Sequence, residues 1–127
     1  MTENEAATII VDTAYQMHVA LGPGLLESVY HDILVYELRK RHLRVLSKQP
    51  IPIVWDGLQF ERAFVSDLIV QDVVIVELKS LEKVHPVHSK QLLTYLRLAD
   101  KRLGLLINFG SKLIKEGISR VASGDFE

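Results

Sequence analysis

Apolar side chains recur every three or four residues along the first 42 positions, a spacing that places them on one side of an α-helix. The pattern predicts one helix over residues 4–21, with Asn4 as its N-cap, and a second over residues 25–42. Gly22-Pro23-Gly24 separates the two helices, because glycine favours a helix end and proline cannot continue a helix.

The pattern changes to a period of two after residue 44. Val45–Trp55 predicts an extended strand, and its two prolines place that strand at the edge of a sheet. Asp56-Gly57 is a hairpin turn signal, and Phe60–Val70 predicts the returning strand.

The second half of the chain alternates short apolar runs with one helical segment. A tight turn at Gln71-Asp72 leads into the run Val73–Val76, which is typical of a central strand. Pro86 favours the first turn of a third helix, and Leu103–Phe109 predicts another buried strand before a short one at Ile118–Val121. We therefore expect an α/β fold, more narrowly an α+β mixed sheet of four to five strands flanked by helices, in one domain over residues 1–127.

Composition excludes several classes of protein. The chain has 127 residues and no cysteine, which excludes disulfide scaffolds, thiol catalysis and cysteine-ligated metals. No apolar run reaches the ~20 residues that span a membrane, and an acidic start differs from a secretory signal. A cytoplasmic protein without membrane contact is expected.

Charge is distributed unevenly along the chain. Residues 1–38 hold six acidic residues and no lysine or arginine, and all 15 basic residues follow against ten acidic ones. Five of the basic residues cluster within residues 39–48. Such clusters are often solvated surface, and the alternative interpretation is a positive face for a polyanion beside an acidic site.

Three charged residues follow or precede the central apolar strand. Glu77 and Lys79 share one face of that strand because they are two residues apart, and Asp67 lies in the strand before it. Paired carboxylates repel unless a cation lies between them, and oxygen ligands favour Mg²⁺ or Mn²⁺. The alternative is a surface ion pair between Glu77 and Lys79 with Asp67 solvated.

The length of the turn decides whether these carboxylates meet. A two-residue turn at Gln71-Asp72 would pair Asp67 with Val76 and send its side chain to the wrong face. We therefore predict a three-residue loop centred on Asp72, or a β-bulge, that places Asp67 opposite Glu77 on adjacent antiparallel strands.

Two helices add polar side chains to this picture. His88, Gln91 and Tyr95 form one stripe of the third helix, which suits either a site or an exposed helix edge. Glu27 opens the second helix, where the helix dipole favours an acid in any case, and Tyr30 is more often a core residue than a site residue.

These residues carry a resemblance to a known family. Gly24, Glu27 and Tyr30 match the signature of the GxxExxY proteins, and Asp67, Glu77-Leu78-Lys79 and Gln91-xxx-Tyr95 resemble the motif series of the PD-(D/E)xK nuclease superfamily. The resemblance covers residues 8–121. One departure is Ser66, which stands where the superfamily name has proline.

The resemblance implies a restriction-endonuclease-like core and metal-dependent hydrolysis of phosphodiester bonds. Mg²⁺, or Mn²⁺, would be held by Asp67, Glu77, the Leu78 backbone carbonyl and Glu27. Lys79 would orient or deprotonate the attacking water, and Gln91 would position the site. Nucleic-acid contacts would come from Lys83, His88, Lys90, Tyr95 and Arg97.

The sequence thus predicts a Mg²⁺-dependent nuclease, with DNA favoured over RNA as the substrate. Two alternatives stay open at this stage. The first is a nucleic-acid-binding module of the same fold that cleaves slowly or not at all, and the second is an interaction subunit that binds neither metal nor nucleic acid. A homodimer is also expected, because a second copy would help one small domain to grip a duplex.

Overall fold

A five-stranded sheet with helices on both faces forms the protein in the computed structural model, which describes residues 1–124. The chain forms nine elements in order: α1 (Glu3–Leu21), α2 (Glu27–Lys40), β1 (Val45–Trp55), β2 (Leu58–Val70), β3 (Val74–Lys79), α3 (Pro86–Ala99), β4 (Leu103–Asn108), α4 (Ile114–Gly117) and β5 (Ile118–Ala122). The predicted mixed α/β architecture is confirmed, and only the single turn of α4 was not predicted from the pattern.

The strands lie in the order β1-β2-β3-β4-β5. Neighbouring strands are antiparallel except for β3 and β4, which are parallel. A parallel pair needs a crossover, and α3 provides it by carrying the chain across one face of the sheet. The carboxyl ends of β3 and β4 therefore meet at the same edge of the sheet.

The predicted N-cap of the first helix was wrong by two residues. Thr2, and not Asn4, is the N-cap of α1, because its side chain accepts a hydrogen bond from the Glu5 backbone while the Glu5 carboxylate accepts one from the Thr2 backbone. Reciprocal bonds of this kind satisfy two backbone donors at once, which a lone asparagine cap does not do.

The second helix is shorter than its hydrophobic pattern indicated. It begins at Glu27 rather than residue 25, and Leu26 and Val29 are exposed although helical spacing would place them on its apolar side. The Tyr30 hydroxyl donates to the Gly22 carbonyl at 2.6 Å and accepts from the Leu25 backbone at 3.1 Å. These bonds hold residues 22–25 in a loop that turns Leu26 outward.

Two hydrophobic cores lie on opposite faces of the sheet. The face beneath α1 and α2, here named the core face, includes Leu68, Val76 and Leu78. The face beneath α3, here named the site face, includes Ile69 and Ile75 in a smaller core. Because side chains alternate along a strand, the odd-numbered residues of β3 all project from the site face.

Gly104 of β4 makes room for the third helix. It faces Leu92, and a Cβ atom on Gly104 would lie 2.9 Å from Leu92 Cγ. The missing side chain therefore leaves space for the Leu92 side chain beneath α3. Among residues 1–124, no helix has the length and apolar character that a membrane crossing requires.

Candidate active site

The loop between β2 and β3 sets the register of the candidate site. Val70 pairs with Val74 and Leu68 with Val76, so Gln71, Asp72 and Val73 form a three-residue loop. Gln71 and Asp72 both adopt left-handed backbone angles, with φ of 53° and 58°. The loop centred on Asp72 is the one that the sequence argument required, and this prediction is confirmed.

Asp67 lies where β2 and β3 separate. Counted from the loop, the regular pairing of the two strands ends at Leu68 and Val76, and Asp67 is the next residue of β2 beyond that pair. The Leu78 backbone N–H then donates to Asp67 Oδ2 at 2.9 Å. The carboxylate thus replaces a ladder carbonyl and bridges the gap between the strands, which holds it rigidly beside β3.

Glu77 is the buried carboxyl group of the site. Its side chain projects from the site face and only 8% of the residue is exposed. Burial and, after it, the neighbouring Asp67 carboxylate raise the pKa of Glu77 to about 9, and the positive charge of Lys79 opposes this shift only in part. Glu77 Oε1 is buried and has no hydrogen-bond partner among the residues that the structure describes. A group of this kind is costly to bury unless a cation joins it.

The backbone of Leu78 faces the same gap. Phe109 N–H donates to the Lys79 carbonyl at 2.9 Å, so the backbone groups of Lys79 are directed at β4. Successive residues of a strand direct their N–H and C=O groups to alternate sides. The Leu78 carbonyl is therefore directed toward β2, on the side where its own N–H meets Asp67.

Lys79, His88 and Glu27 lie together beside the carboxylate pair. Partial burial lowers the pKa of His88, as does the positive charge of Lys79, whereas the carboxylate of Glu27 opposes this shift. Lys79 in turn lowers the pKa of Glu77. The positive charge of Lys79 thus acts on both Glu77 and His88.

The structure does not bring Glu27 into the carboxylate pair. Within residues 1–124, no three histidine, aspartate or glutamate side chains lie close enough to hold one metal ion. Glu27 is exposed at the first turn of α2, and the Ser80 hydroxyl donates to the Leu25 carbonyl at 2.6 Å just before it. Glu27 therefore lies at the rim of the site, and its predicted place among the metal ligands stays a prediction.

The third helix closes one side of the site with Tyr95. Its ring stacks on Phe64 with the ring centroids 3.9 Å apart. Burial raises the pKa of Tyr95, and the Glu77 and Asp67 carboxylates raise it further. Gln91 is exposed one turn earlier on the same helix. The stripe predicted on α3 thus lies beside the carboxylates.

No role was assigned from the sequence to Asn108, which supports the site. The side chain of Asn108, wholly buried at the end of β4, accepts from the Leu81 and Gly110 backbone N–H groups and donates to the Leu81 carbonyl and Ser111. These bonds anchor the segment that follows Lys79. A lone asparagine that ends an otherwise apolar strand is the signal that would have found it.

Tyr30 supports the site from the core. It is fully buried, and its ring stacks on Phe109 with the centroids 4.5 Å apart. Its hydroxyl holds the loop that precedes Glu27. The tyrosine is therefore a core residue, as the sequence indicated, and it acts on the site only through this loop.

The basic residues serve two different purposes. Arg39 donates to the Val45 carbonyl at 2.8 Å, and Arg41 binds Asp12, Thr13 and Gln16 of α1. These two arginines thus tie elements of the core face together. Lys83, Lys90 and Arg97 are exposed on α3 and the segment before it.

One large groove of the molecule is not the candidate site. A groove of about 670 Å³ lies between α1 and strands β4 and β5, with a mostly apolar lining. A second cleft, lined by residues 23–27, residues 80–82 and Gly110, lies directly beside the end of β3 and includes Glu27. Asp67, Glu77 and Lys79 line neither of these cavities, so the candidate site is defined by its charged groups and not by a cavity.

Comparison with known proteins identifies the family. The family model for the PD-(D/E)XK nuclease superfamily matches residues 4–121, which is most of the chain. No curated protein and no solved structure matches the sequence. The match spans every strand of the sheet except the last residue of β5, and it includes the Asp67, Glu77 and Lys79 segment. The chain therefore belongs to the PD-(D/E)XK nuclease superfamily.

Proposed function

We propose that this protein is a Mg²⁺-dependent nuclease that hydrolyses phosphodiester bonds of DNA. The observation that carries the proposal is the buried Oε1 atom of Glu77, which has no hydrogen-bond partner in residues 1–124 and lies beside a second carboxylate. Two adjacent carboxyl groups at a strand end form a poor structural element and a good cation site.

The donor set fits a hard divalent cation. Asp67, Glu77 and the Leu78 carbonyl supply oxygen atoms from two strands, and oxygen ligands suit Mg²⁺, with Mn²⁺ as a close substitute. When bound, the ion supplies positive charge for a phosphate oxygen and lowers the pKa of a bound water molecule. Mg²⁺ retains several waters in such sites, so two carboxylates and a carbonyl are sufficient protein ligands.

Lys79 provides a second positive charge on the same face. Its ammonium group donates hydrogen bonds and does not accept them, so it suits a phosphate oxygen or the attacking water. Preorganised charge of this kind stabilises the negative charge that develops during phosphodiester hydrolysis. His88 lies within electrostatic reach of Lys79 and Glu27, and His88 and Glu27 can orient the water or the leaving group.

Exposed groups on α3 are placed to hold the substrate. Lys83, Lys90 and Arg97 can pair with phosphates, and Gln91 can donate a hydrogen bond to the nucleic-acid backbone near the site. His88 and Tyr95 line the same side of the helix. A second copy of the chain would lengthen this surface along a duplex, in keeping with the expected homodimer.

The alternative function is a nucleic-acid-binding module that keeps the fold without cleavage. A binding surface has no need of a buried carboxyl group whose pKa is raised to about 9. Paired acids facing a phosphate would also weaken binding through repulsion. The full set of Asp67, Glu77 and Lys79 therefore supports an active enzyme.

A plasmid-nicking assay with and without Mg²⁺ tests the proposal. Asp67→Ala and Glu77→Gln should abolish nicking and weaken Mg²⁺ binding in calorimetry, because each removes charge from the cation site. Lys79→Ala should still bind Mg²⁺ while turnover falls by roughly 10²–10⁴-fold.

Asp56→Asn is the matched control. Asp56 is an exposed carboxylate at the tip of the hairpin formed by β1 and β2, and β2 also carries Asp67. Its left-handed backbone angle tolerates asparagine. This variant should nick like the unmodified protein. If the unmodified protein binds DNA but does not nick it at any Mg²⁺ or Mn²⁺ concentration, the binding module is the correct function.

A further inference from the structure

Asp67 has no paired residue in either neighbouring strand. Ser47 pairs with Leu68 and Gln49 with Ser66, yet the intervening pair of Lys48 and Asp67 is missing from the ladder. Lys48 adopts a left-handed backbone angle, with φ of 51°. The register is the same on both sides of this gap, so the ladder lacks one pair without the extra residue of a β-bulge.

The packing of β1 against the two cores shows the same irregularity. Val45 packs into the core face, whereas Ile51, six residues later on the same strand, packs into the site face. An even separation would place both side chains on one face of a regular strand. The alternation therefore changes once between these residues, in the segment that contains Lys48.

His31 of α2 takes the place of the missing strand partner. Its Nε2 lies 3.1 Å from the Asp67 carbonyl oxygen, and because a carbonyl only accepts, Nε2 donates. The ring is buried, with 5% of the residue exposed, and Ser47 Oγ lies 3.2 Å from the same nitrogen. The other ring nitrogen, Nδ1, lies 3.0 Å from Asp32 Oδ1 at the surface.

We infer that His31 is a positioning residue for the Asp67 carboxylate, and this inference rests on the proposed function of Asp67 as a metal ligand. The histidine holds the Asp67 main chain from the core face while the side chain projects toward Glu77 on the site face. It also lies one helical turn after Glu27, so α2 supports both the rim and the centre of the site. Such supporting contacts commonly change metal affinity or activity by about 10–100-fold.

Two variants of His31 separate its contact with Asp67 from its contact with Asp32. The amide nitrogen of glutamine can reach the position of Nε2, whereas the shorter asparagine reaches only the position of Nδ1. His31→Gln should therefore keep Mn²⁺ affinity and turnover within about threefold, and His31→Asn should lose about tenfold or more in each. Calorimetry with Mn²⁺ and single-turnover cleavage of DNA give the two values.

His18 offers a matched control on α1. It is also a buried histidine, and its Nε2 lies 2.9 Å from a backbone carbonyl, that of Ser111, which no proposed ligand shares. His18→Asn should lower the melting temperature much as His31→Asn does, because both lose one buried hydrogen bond. It should leave Mn²⁺ affinity unchanged.

Hydrogen exchange of the Leu78 amide tests the inference without metal or substrate. That amide donates to the Asp67 carboxylate, so its protection reports how firmly the carboxylate is held. His31→Asn should reduce the protection about tenfold relative to the amide of Val76 in the adjoining ladder, and His31→Gln and His18→Asn should not.

The outcomes separate the two proposals. If Leu78 loses protection in His31→Asn although the unmodified protein neither binds Mn²⁺ nor cleaves DNA, the positioning role stands and the proposed function fails. If the unmodified protein binds and cleaves while His31→Asn changes no more than His18→Asn in affinity and protection, the positioning role is overturned.

Discussion

The two faces of the sheet differ in how completely helices cover them. Twenty-one buried residues form the core beneath α1 and α2, and seven form the core beneath α3. The larger core supplies most of the hydrophobic stabilisation, because this grows with the apolar area removed from water. The smaller core leaves one end of the face open, and all three proposed catalytic residues of the strands, Asp67, Glu77 and Lys79, project there.

The difference shows how one strand can serve both stability and chemistry. Leu78 is fully buried on the core face, and its neighbour Glu77 is buried on the site face as an acid. Rigid packing on one side holds the strand while charged groups on the other side bear an energetic cost. Groups that are costly to bury are typical of functional sites.

The largest expected contrast comes from substituting these two neighbours. Leu78→Ala should lower the free energy of unfolding by about 2–5 kcal/mol, because it leaves a cavity in the larger core. Glu77→Gln should instead raise the melting temperature of the metal-free protein at pH 7, since it removes the cost of burying an acid. Calorimetric melting of both variants measures the signs, and a lower melting temperature for Glu77→Gln would break the comparison.

The next effect is a dependence of stability on pH. The pKa of Glu77 is raised from 4.5 to about 9 in the folded protein, so between these values the folded state holds a proton that the unfolded state has released. The stability associated with that proton is complete below pH 4.5 and is lost as pH rises toward 9. Metal-free stability should therefore fall with rising pH, by up to about 1.4 kcal/mol per unit.

Denaturant unfolding at several pH values measures this slope. Glu77→Gln should show a flatter profile, because the amide does not titrate. Mg²⁺ affinity should change in the opposite direction and rise with pH, since the bound ion displaces the proton. Parallel profiles for the two proteins would contradict the assignment of the slope to Glu77.

A smaller effect is expected at the glycine behind the site. A Cβ atom on Gly110 would lie 2.2 Å from the Leu81 carbonyl oxygen, so Gly110→Ala must displace the backbone that follows Lys79. We expect a loss of about 1–3 kcal/mol together with reduced cleavage. Gly104→Ala is the control, because its Cβ would meet the flexible side chain of Leu92 at 2.9 Å. If Gly104→Ala loses as much stability and cleavage as Gly110→Ala, the backbone packing of Gly110 against Leu81 has no particular importance for the site.

The smallest expected effect concerns DNA binding. Lys90→Ala on α3 should lower the slope of binding affinity against salt by about one, because a single phosphate contact is lost. Lys40→Ala, an exposed lysine at the end of α2 on the opposite side of the sheet, should leave the slope unchanged. Fluorescence anisotropy titrations at several salt concentrations compare them, and identical slopes for both variants would show that the site face does not hold the DNA.

The local features of the fold could be predicted from the sequence. The apolar periods placed the helices and strands within a few residues, and the Asp56-Gly57 turn joins β1 and β2 as expected. The need to place Asp67 opposite Glu77 predicted the three-residue loop that the register shows. These predictions succeeded because they depend on residues that are close together in the chain.

The energetic state of the site could not be predicted in the same way. The raised pKa of Glu77 depends on burial by α3 and on Asp67, which approaches only because the strands separate there. The bond from His31 to the Asp67 carbonyl joins residues 36 positions apart. No pattern along the chain encodes the desolvation of one oxygen atom or a contact at a missing ladder pair.

By itself, the sequence determined the order of the elements and which residues share a face. It also determined the candidate carboxylates, because alternation and turn length are properties of the local backbone. Only the tertiary structure decided that Glu27 lies at the rim, that Arg41 binds α1, and that His31 supports Asp67. Those outcomes depend on the distances between separate elements, which packing alone sets.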